Sequence, residues 1–392
     1  MSPMDTIKLY YDQPYLRSTD IHVLEKREDK KGLWLLPDKT IAYPGGGGQL
    51  PDMVTFDGRK ASDVRTENGK IWYRIPSTAE ITEDNVKMAI EWPFRYYNMQ
   101  QHTGQHLLSA ILKEKGYDTV SVHLGEEYTL VEIKSELSDD AELDEIESRC
   151  NEMIRKALNV ETFWVTPDDI SRYPLRRPPA KDWDRLRIVH IDRLDYVACG
   201  GMHVKNTAEI GYIKLAGLEK IRGRNRLKAY MGDRAESYFR QLHHIHVYLK
   251  TAVQADTDSM IERIDTLVEE KNRHKWKSDM LATFYISVKA DELMRKETLG
   301  NGLVFFRMDP SEEEYAEEMA RTLAHKKGVP AFIMGVNRFY FIVPDGSPVD
   351  PNTFLREHRE ELGIKGGGPK GFVQGVYDPA VRSQLRRYLE QL

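Results

Sequence analysis

Two short stretches of this sequence carry side chains that could do chemistry together. The first is Met99-Gln100-Gln101-His102-Thr103-Gly104-Gln105-His106-Leu107-Leu108, and the second is Cys199-Gly200-Gly201-Met202-His203. Histidines at i and i+4 leave one face of a helix together, close enough to share one metal ion. The second stretch adds a thiolate and a third imidazole from a glycine-rich turn, and three nitrogens with one sulfur form a donor set that suits zinc. Either pair alone is a weak signal, because HxxxH recurs on ordinary helices; the combination points to a metal site. No glutamate follows His102 in the position where an HExxH peptidase places its base.

The elements that must position these residues are legible in the patterning. Leu107, Leu108, Ile111 and Leu112 form an apolar stripe that predicts a helix under the two histidines. Ahead of it, Gly45, Gly46, Gly47 and Gly48 give a backbone that can approach another group closely and present bare N–H donors. A flexible turn is the alternative; the polar Gln49 that follows favours a substrate-facing loop. His123 and His190 sit in predicted strands, where most histidines are core or surface residues, and His123 is the stronger candidate for a site role. His243, His244 and His246 read as surface residues of a helix.

The chain has 392 residues, enough for two to four domains with cores of their own. Its net charge of −5 gives no global attraction to nucleic acid, so any RNA contact must come from local basic patches. Arg222, Arg224, Arg226 and Lys228 alternate along one predicted strand and suit phosphate contacts, although a charge-guarded edge strand would look the same. A second basic run, Arg176, Arg177, Lys181, Arg185 and Arg187, precedes the cysteine turn. Near the end, Gly366, Gly367 and Gly368 between Lys365 and Lys370 could hold a phosphate or a terminal ribose.

Cys150 and Cys199 are the two cysteines, a count that points to a reducing compartment. Cys150 reads as a small buried hydrophobe on an amphipathic helix capped by Ser138 or Asp139. No apolar run approaches membrane-spanning length and no basic–apolar leader opens the chain, so a cytoplasmic protein is expected. The predicted architecture is α+β and multidomain. Residues 1–92 form a small antiparallel β-barrel carrying the glycine-rich loop, and residues 93–231 form an α/β unit holding both metal-ligand stretches. Residues 232–297 form a helical hairpin or linker, broken at Asp256-Thr257-Asp258-Ser259 and suited to spacing or dimer contact, and residues 298–392 form a C-terminal α/β unit.

The glycine-rich loop, then His-Thr-Gly-Gln-His-Leu-Leu, then Cys-Gly-Gly-Met-His-Val followed by Thr207-Ala208-Glu209-Ile210-Gly211, resembles the editing domain of alanyl-tRNA synthetases. It also resembles the freestanding alanyl-tRNA editing proteins of the AlaX family. Residues 221–232 are similar to the strand that closes that domain, and the C-terminal unit is similar to the DHHA1 domain that follows it, so the resemblance spans the chain and suggests the long form. It implies a zinc-dependent hydrolase that removes serine or glycine from mischarged alanine tRNA, acting as a dimer through the helical segment and C-terminal unit. His102, His106, Cys199 and His203 would hold the Zn2+ and be catalytic with His123; Gly45–Gln49 would border the amino-acid pocket. Arg222, Arg224, Arg226, Lys228, Gly366, Gly367, Gly368 and Lys370 would contact tRNA. Two positions depart from the pattern. Met202 stands where synthetases usually carry threonine, and Val122-His123 falls where many carry a catalytically relevant glutamine. Because four protein ligands close a tetrahedral site, zinc is expected to organise the substrate rather than supply hydroxide; a non-catalytic, zinc-stapled tRNA-binding module is the alternative.

Overall fold

Alternating burial makes the first strands one-sided. In Asn85–Ile90, Val86, Met88 and Ile90 point inward while Asn85 and Lys87 face solvent, as period-two side chains must when one face of a sheet is wet. The computed structural model describes residues 5–76, 81, 83–134, 137, 140–179, 184–221 and 224–392. It divides into two compact units, Met1–Tyr248 and Leu249–Leu392, with mixed α and β structure in each. Ser138, Asp139, Lys181 and Arg222, singled out above, lie outside the described residues.

The first unit opens with a seven-stranded antiparallel sheet. Its order is Arg59–Lys60, Val54–Phe56, Asn85–Ile90, Ser18–Asp29, Gly32–Pro37, Lys70–Ile75 and Asp63–Glu67. The sheet curls around Ser18–Asp29, whose first half pairs with Asn85–Ile90 and whose second half pairs with Gly32–Pro37 across a register shift between Val23 and Glu25. Its two ends are drawn together by consecutive residues: Ala61 N–H donates to Val54 O at 2.9 Å, and Ser62 N–H donates to Arg74 O at 2.7 Å. The predicted barrel is therefore a curled sheet, joined at its seam by a two-residue connection.

Helix Trp92–Glu114 follows, with Pro93 in its first turn, where the missing N–H costs nothing. It stops where Gly116 takes a φ of 90° and Tyr117 N–H returns to Leu112 O. Every residue from Tyr97 to Leu112 is buried, so this helix runs through the interior and its polar residues need partners there. A four-stranded antiparallel sheet in the order Thr119–Leu124, Thr129–Ile133, Arg224–Met231, Ile213–Ile221 packs nearby, with helix Asp140–Arg155 against it. A three-stranded meander, Val160–Val165, Leu186–Ile191 and Asp195–Ala198, delivers the chain to Cys199. One hydrophobic core runs from Tyr10 to Met231 and includes Cys150, Leu107, Leu108, Ile111 and Leu112.

Residues 221–228 are not the single strand that alternation suggested. Ile221 ends one strand and pairs with Arg224, which opens the next, so Arg224, Arg226 and Lys228 lie on the second of two antiparallel strands. Helix Asp233–Val253 ends at Gln254, which adopts a φ of 54°, and Met260–Lys296 begins after a 3-10 turn at Thr257–Ser259, where the break was expected. In the second unit, five strands lie in the order Val304–Arg307, Ala331–Met334, Arg338–Ile342, Phe372–Val376, Lys365–Gly367; the first pair is parallel and the rest antiparallel. The helical stretch between the first two of these strands is a composite, 3-10 at Pro310–Tyr315, α at Ala316–Arg321 and π at Thr322–Lys326. Among the described residues, no helix is long and apolar enough to cross a membrane.

Candidate metal centre

Helix Trp92–Glu114 presents His102 and His106 one turn apart, and the turn after Asp195–Ala198 lays Cys199 and His203 across them. The four ligand atoms lie within 4.8 Å of one another. His102 Nε2 is 3.4 Å from Cys199 Sγ, and the ring centroids of His102, His106 and His203 are 4.4–4.9 Å apart. A tetrahedral ion with nitrogen and sulfur ligands at about 2.0–2.3 Å needs donors roughly 3.3–3.6 Å apart; the His102–Cys199 pair stands at that spacing, and the other donors lie close enough to be drawn onto the same ion. Buried polar nitrogens ordinarily have partners, yet His106 Nδ1 and His203 Nε2 have none. The donor set, its spacing and these two unpaired nitrogens fit a metal ion.

The environment holds the imidazoles in the neutral form that a ligand requires. Burial, then the positive charge of Arg187, brings His102 down to about 3; burial, then His102, holds His106 and His203 well below their ordinary value. Burial raises the Cys199 thiol, while the Gly201 N–H and the charges of Arg187 and Arg176 act in the opposite direction and favour the thiolate.

Surrounding residues fix the ligands' orientation. Gln49 is buried, and its Oε1 lies 2.9 Å from His102 Nδ1 while accepting the Met202 N–H at 2.8 Å. With Nδ1 as the donor to Gln49, His102 Nε2 is left free to face Cys199. Thr103 Oγ1 accepts the Val204 N–H at 3.1 Å and lies 3.2 Å from His203 Nδ1. Arg187, 5% exposed, donates through Nη1 to Gly201 O at 2.7 Å and Cys199 O at 3.2 Å, pinning the turn from behind. Gly201 is required by contact: a Cβ there would stand 2.1 Å from His102 Cε1 and 2.4 Å from Nδ1.

The glycine-rich loop reaches the same place. Gly45 to Gly48 all have positive φ, and Gly46 and Gln49 exchange both backbone hydrogen bonds, which turns the chain back and drives Gln49 inward. The base of the loop is clamped by Arg95 and Asp52, both buried. Arg95 Nε donates to Asp52 Oδ1 at 2.8 Å, its other nitrogens reach Pro14 O and Ile41 O, and Tyr43 N–H donates to Asp52 Oδ2 at 2.6 Å.

His102, His106 and Cys199 open onto a cleft of about 500 Å³, walled by Gly47, Gln105, Thr119, Val122, Arg176 and Arg177 among others. His123 is exposed on strand Thr119–Leu124, and its neighbour Val122 lines the cleft instead. Arg226 meets Glu132 at 3.9 Å, and Lys228 lies over the rings of Tyr128 and Tyr230. In the second unit, Gly366 and Gly368 have a packing reason to be glycine: a Cβ would fall 2.3 Å from Gln374 O and 2.2 Å from Phe372 O, whereas a Cβ on Gly367 would meet nothing within 4 Å; all three glycines and Lys370 are exposed. Sequence reasoning missed Arg187, Thr103 and the Arg95–Asp52 clamp. An arginine beside Ile188 and Val189 in the mostly apolar strand Leu186–Ile191 was the available signal for the first.

Residues 186–227, which include the cysteine turn, match the family described as the threonyl and alanyl tRNA synthetase second additional domain. The chain is 29% identical to the alanyl-tRNA editing protein AlaX-L of Pyrococcus horikoshii over 98% of its own length and 99% of that relative. It is 30% identical to the alanyl-tRNA editing protein AlaX-M of the same organism, covering 58% of this chain and 98% of the relative. An alanine–tRNA ligase of Methanococcus maripaludis is 25% identical over 99% of this chain, which spans only 44% of that ligase. With a relative 30% identical and matched along 98% of its own length, the chain belongs to the alanyl-tRNA editing protein family.

Proposed function

We propose that the chain hydrolyses the ester between a wrong amino acid, serine or glycine, and the terminal ribose of alanine tRNA, with Zn2+ held by His102, His106, Cys199 and His203. The carrying observation is the convergence of four donors, three of which, His102, His106 and Cys199, line a cleft open to solvent. In the reaction, the carbonyl carbon–ribose oxygen bond breaks, water supplies the hydroxyl of the released amino acid, and its proton goes to the ribose oxygen. Zinc, when bound, supplies a positive charge at the cleft floor, next to the carbonyl oxygen or the amino group.

What the protein's own groups contribute follows from their places. Gln49 and Thr103 hold His102 and His203 in ligand orientation, and Arg187 fixes the turn. Gln105 and Thr119 converge on Ser109, at 2.8 Å and 3.1 Å, and both line the cleft; they are the polar groups placed to meet a serine hydroxyl. Such a contact is what editing needs, because an alanine-sized pocket cannot exclude glycine and rejects serine weakly. The exposed Gly46 to Gly48 border the substrate, and His123 enters as a rim residue one position beyond Val122.

Arg224, Arg226 and Lys228, with Gly366, Gly367, Gly368 and Lys370 in the second unit, are proposed as tRNA contacts. The division at residues 92, 231 and 297, a DHHA1-like character for residues 298–392 and pairing of two copies through the helical segment and C-terminal unit complete the proposal. The closed set of four protein ligands supports the other reading, a zinc-stapled tRNA-binding module without catalysis. Deacylation of Ser-tRNA(Ala) and Gly-tRNA(Ala) by purified protein, before and after chelation and Zn2+ return, separates them. Hydrolysis that is lost and restored supports the deacylase. Tight tRNA binding with no hydrolysis in the zinc-loaded protein refutes it.

A further inference from the structure

A second, aromatic cleft adjoins the metal cluster and has no part in holding it. Its volume is about 350 Å³, and it shares Gly47 and Gly200 with the cleft onto which Cys199 opens. Tyr10, Tyr11 and Tyr43 wall it together with Lys8, and no carboxylate lines it among the described residues. Tyr10 and Tyr43 are buried, which leaves the half-buried Tyr11 as the ring with a surface to offer. That ring is held from several sides: Tyr10 lies 4.5 Å away, Trp164 meets it edge-on at 5.3 Å, and the Arg187 guanidinium lies 5.0 Å from its centroid. Its hydroxyl stands 3.7 Å from where a side chain on Gly200 would begin.

We propose that Tyr11 is the stacking surface for the base of the substrate's 3′-terminal nucleoside, with Lys8 at the mouth receiving the adjoining phosphate. This assignment rests on the deacylase reading, because the ester at the cluster fixes where the ribose must lie. A ribose that carries its acyl group toward Cys199 crosses Gly47 and Gly200, where no side chains obstruct it, and its base then enters the tyrosine-walled cleft. A fixed aromatic ring beside a cation, without a carboxylate, suits a neutral, flat base attached to an anionic backbone. Immobilisation by Trp164 and Arg187 spares the ring an ordering cost on binding.

The test uses two uncharged RNA hairpins that copy the alanine acceptor end, one finishing in adenosine and the other in an abasic ribose, titrated against the full-length zinc-loaded protein. Wild type should bind the adenosine-ended hairpin more tightly, by about 5- to 150-fold. Tyr11→Ala should abolish that preference while leaving affinity for the abasic hairpin unchanged, and Tyr11→Phe should retain it within about twofold. Equal wild-type affinity for both hairpins would overturn the assignment, as would a Tyr11→Ala loss of the same size on both, which is the mark of a structural role. Binding is read without turnover, so a protein that binds as described yet fails to hydrolyse Ser-tRNA(Ala) would count against the deacylase reading alone.

Discussion

Replacing Gly201 by alanine adds one carbon at the tightest point of the metal centre. That carbon would lie 2.1 Å from His102 Cε1, 2.4 Å from His102 Nδ1 and 2.9 Å from Gln49 Oε1, so something must move. The ring cannot retreat freely: Gln49 holds its Nδ1 at 2.9 Å, and His203 and His106 stand 4.4 Å and 4.9 Å away on centroid distances. The turn cannot rise freely either, because Arg187 grips Gly201 O and Cys199 O. Overpacking of this kind costs about 1–3 kcal/mol. If the strain falls on His102 orientation, that equals about 5- to 150-fold in metal affinity, close to the 10- to 100-fold usual when a ligand's support is lost. Competition for Zn2+ against a chromophoric chelator would measure it. Gly200→Ala serves as the control, since its added carbon meets only the Tyr11 hydroxyl at 3.7 Å and should change zinc affinity less than about threefold. Wild-type zinc affinity in Gly201→Ala would refute the placement of the cysteine turn on His102.

Three further outcomes are expected. Gln49→Leu removes the acceptor that meets His102 and Met202 and should weaken zinc binding about 10- to 100-fold, with unchanged chelator competition as the contrary result. Arg95→Ala leaves Asp52 buried without its partner and should cost about 3–5 kcal/mol, seen as a lower urea midpoint by tryptophan fluorescence; an unshifted midpoint would dismiss the clamp. Gly368→Ala should loosen the ribbon formed by Lys365–Gly367 and Phe372–Val376, raising amide exchange there while zinc content stays at the wild-type level; unaltered exchange would contradict the close approach to Phe372 O.

The convergence of His102, His106, Cys199 and His203 was legible because its signals are local. Two histidines four apart over an apolar stripe specify a helix face, and Cys-x-x-x-His in a glycine turn completes the set without any knowledge of the fold. The break between Asp233–Val253 and Met260–Lys296 was legible for the same reason, as a run of polar, cap-forming residues. Gln49 was singled out, but its partners lie 53 and 153 residues away, and no local pattern reveals a contact that a folded loop makes with a distant turn. The change of strand between Ile221 and Arg224 was hidden because basic residues alternate across it and the period of two continues through it. Arg187 looked like one more member of a basic run; its place in a mostly apolar strand was the one local sign that it is buried and serves two carbonyls.

The separation of the ligands also has a consequence for how the molecule comes into being. His102 and its sulfur partner are 97 residues apart, so at about 5–20 residues per second His102 is synthesised roughly 5–20 s before Cys199. Through that interval the amides and imidazoles from Gln100 to His106 await groups still untranslated, among them Glu209, Met231 and the cysteine turn. A chain stalled before residue 199 would expose a two-imidazole site with no thiolate to close it, so the set of four donors is completed from its carboxyl side, by Cys199 and His203.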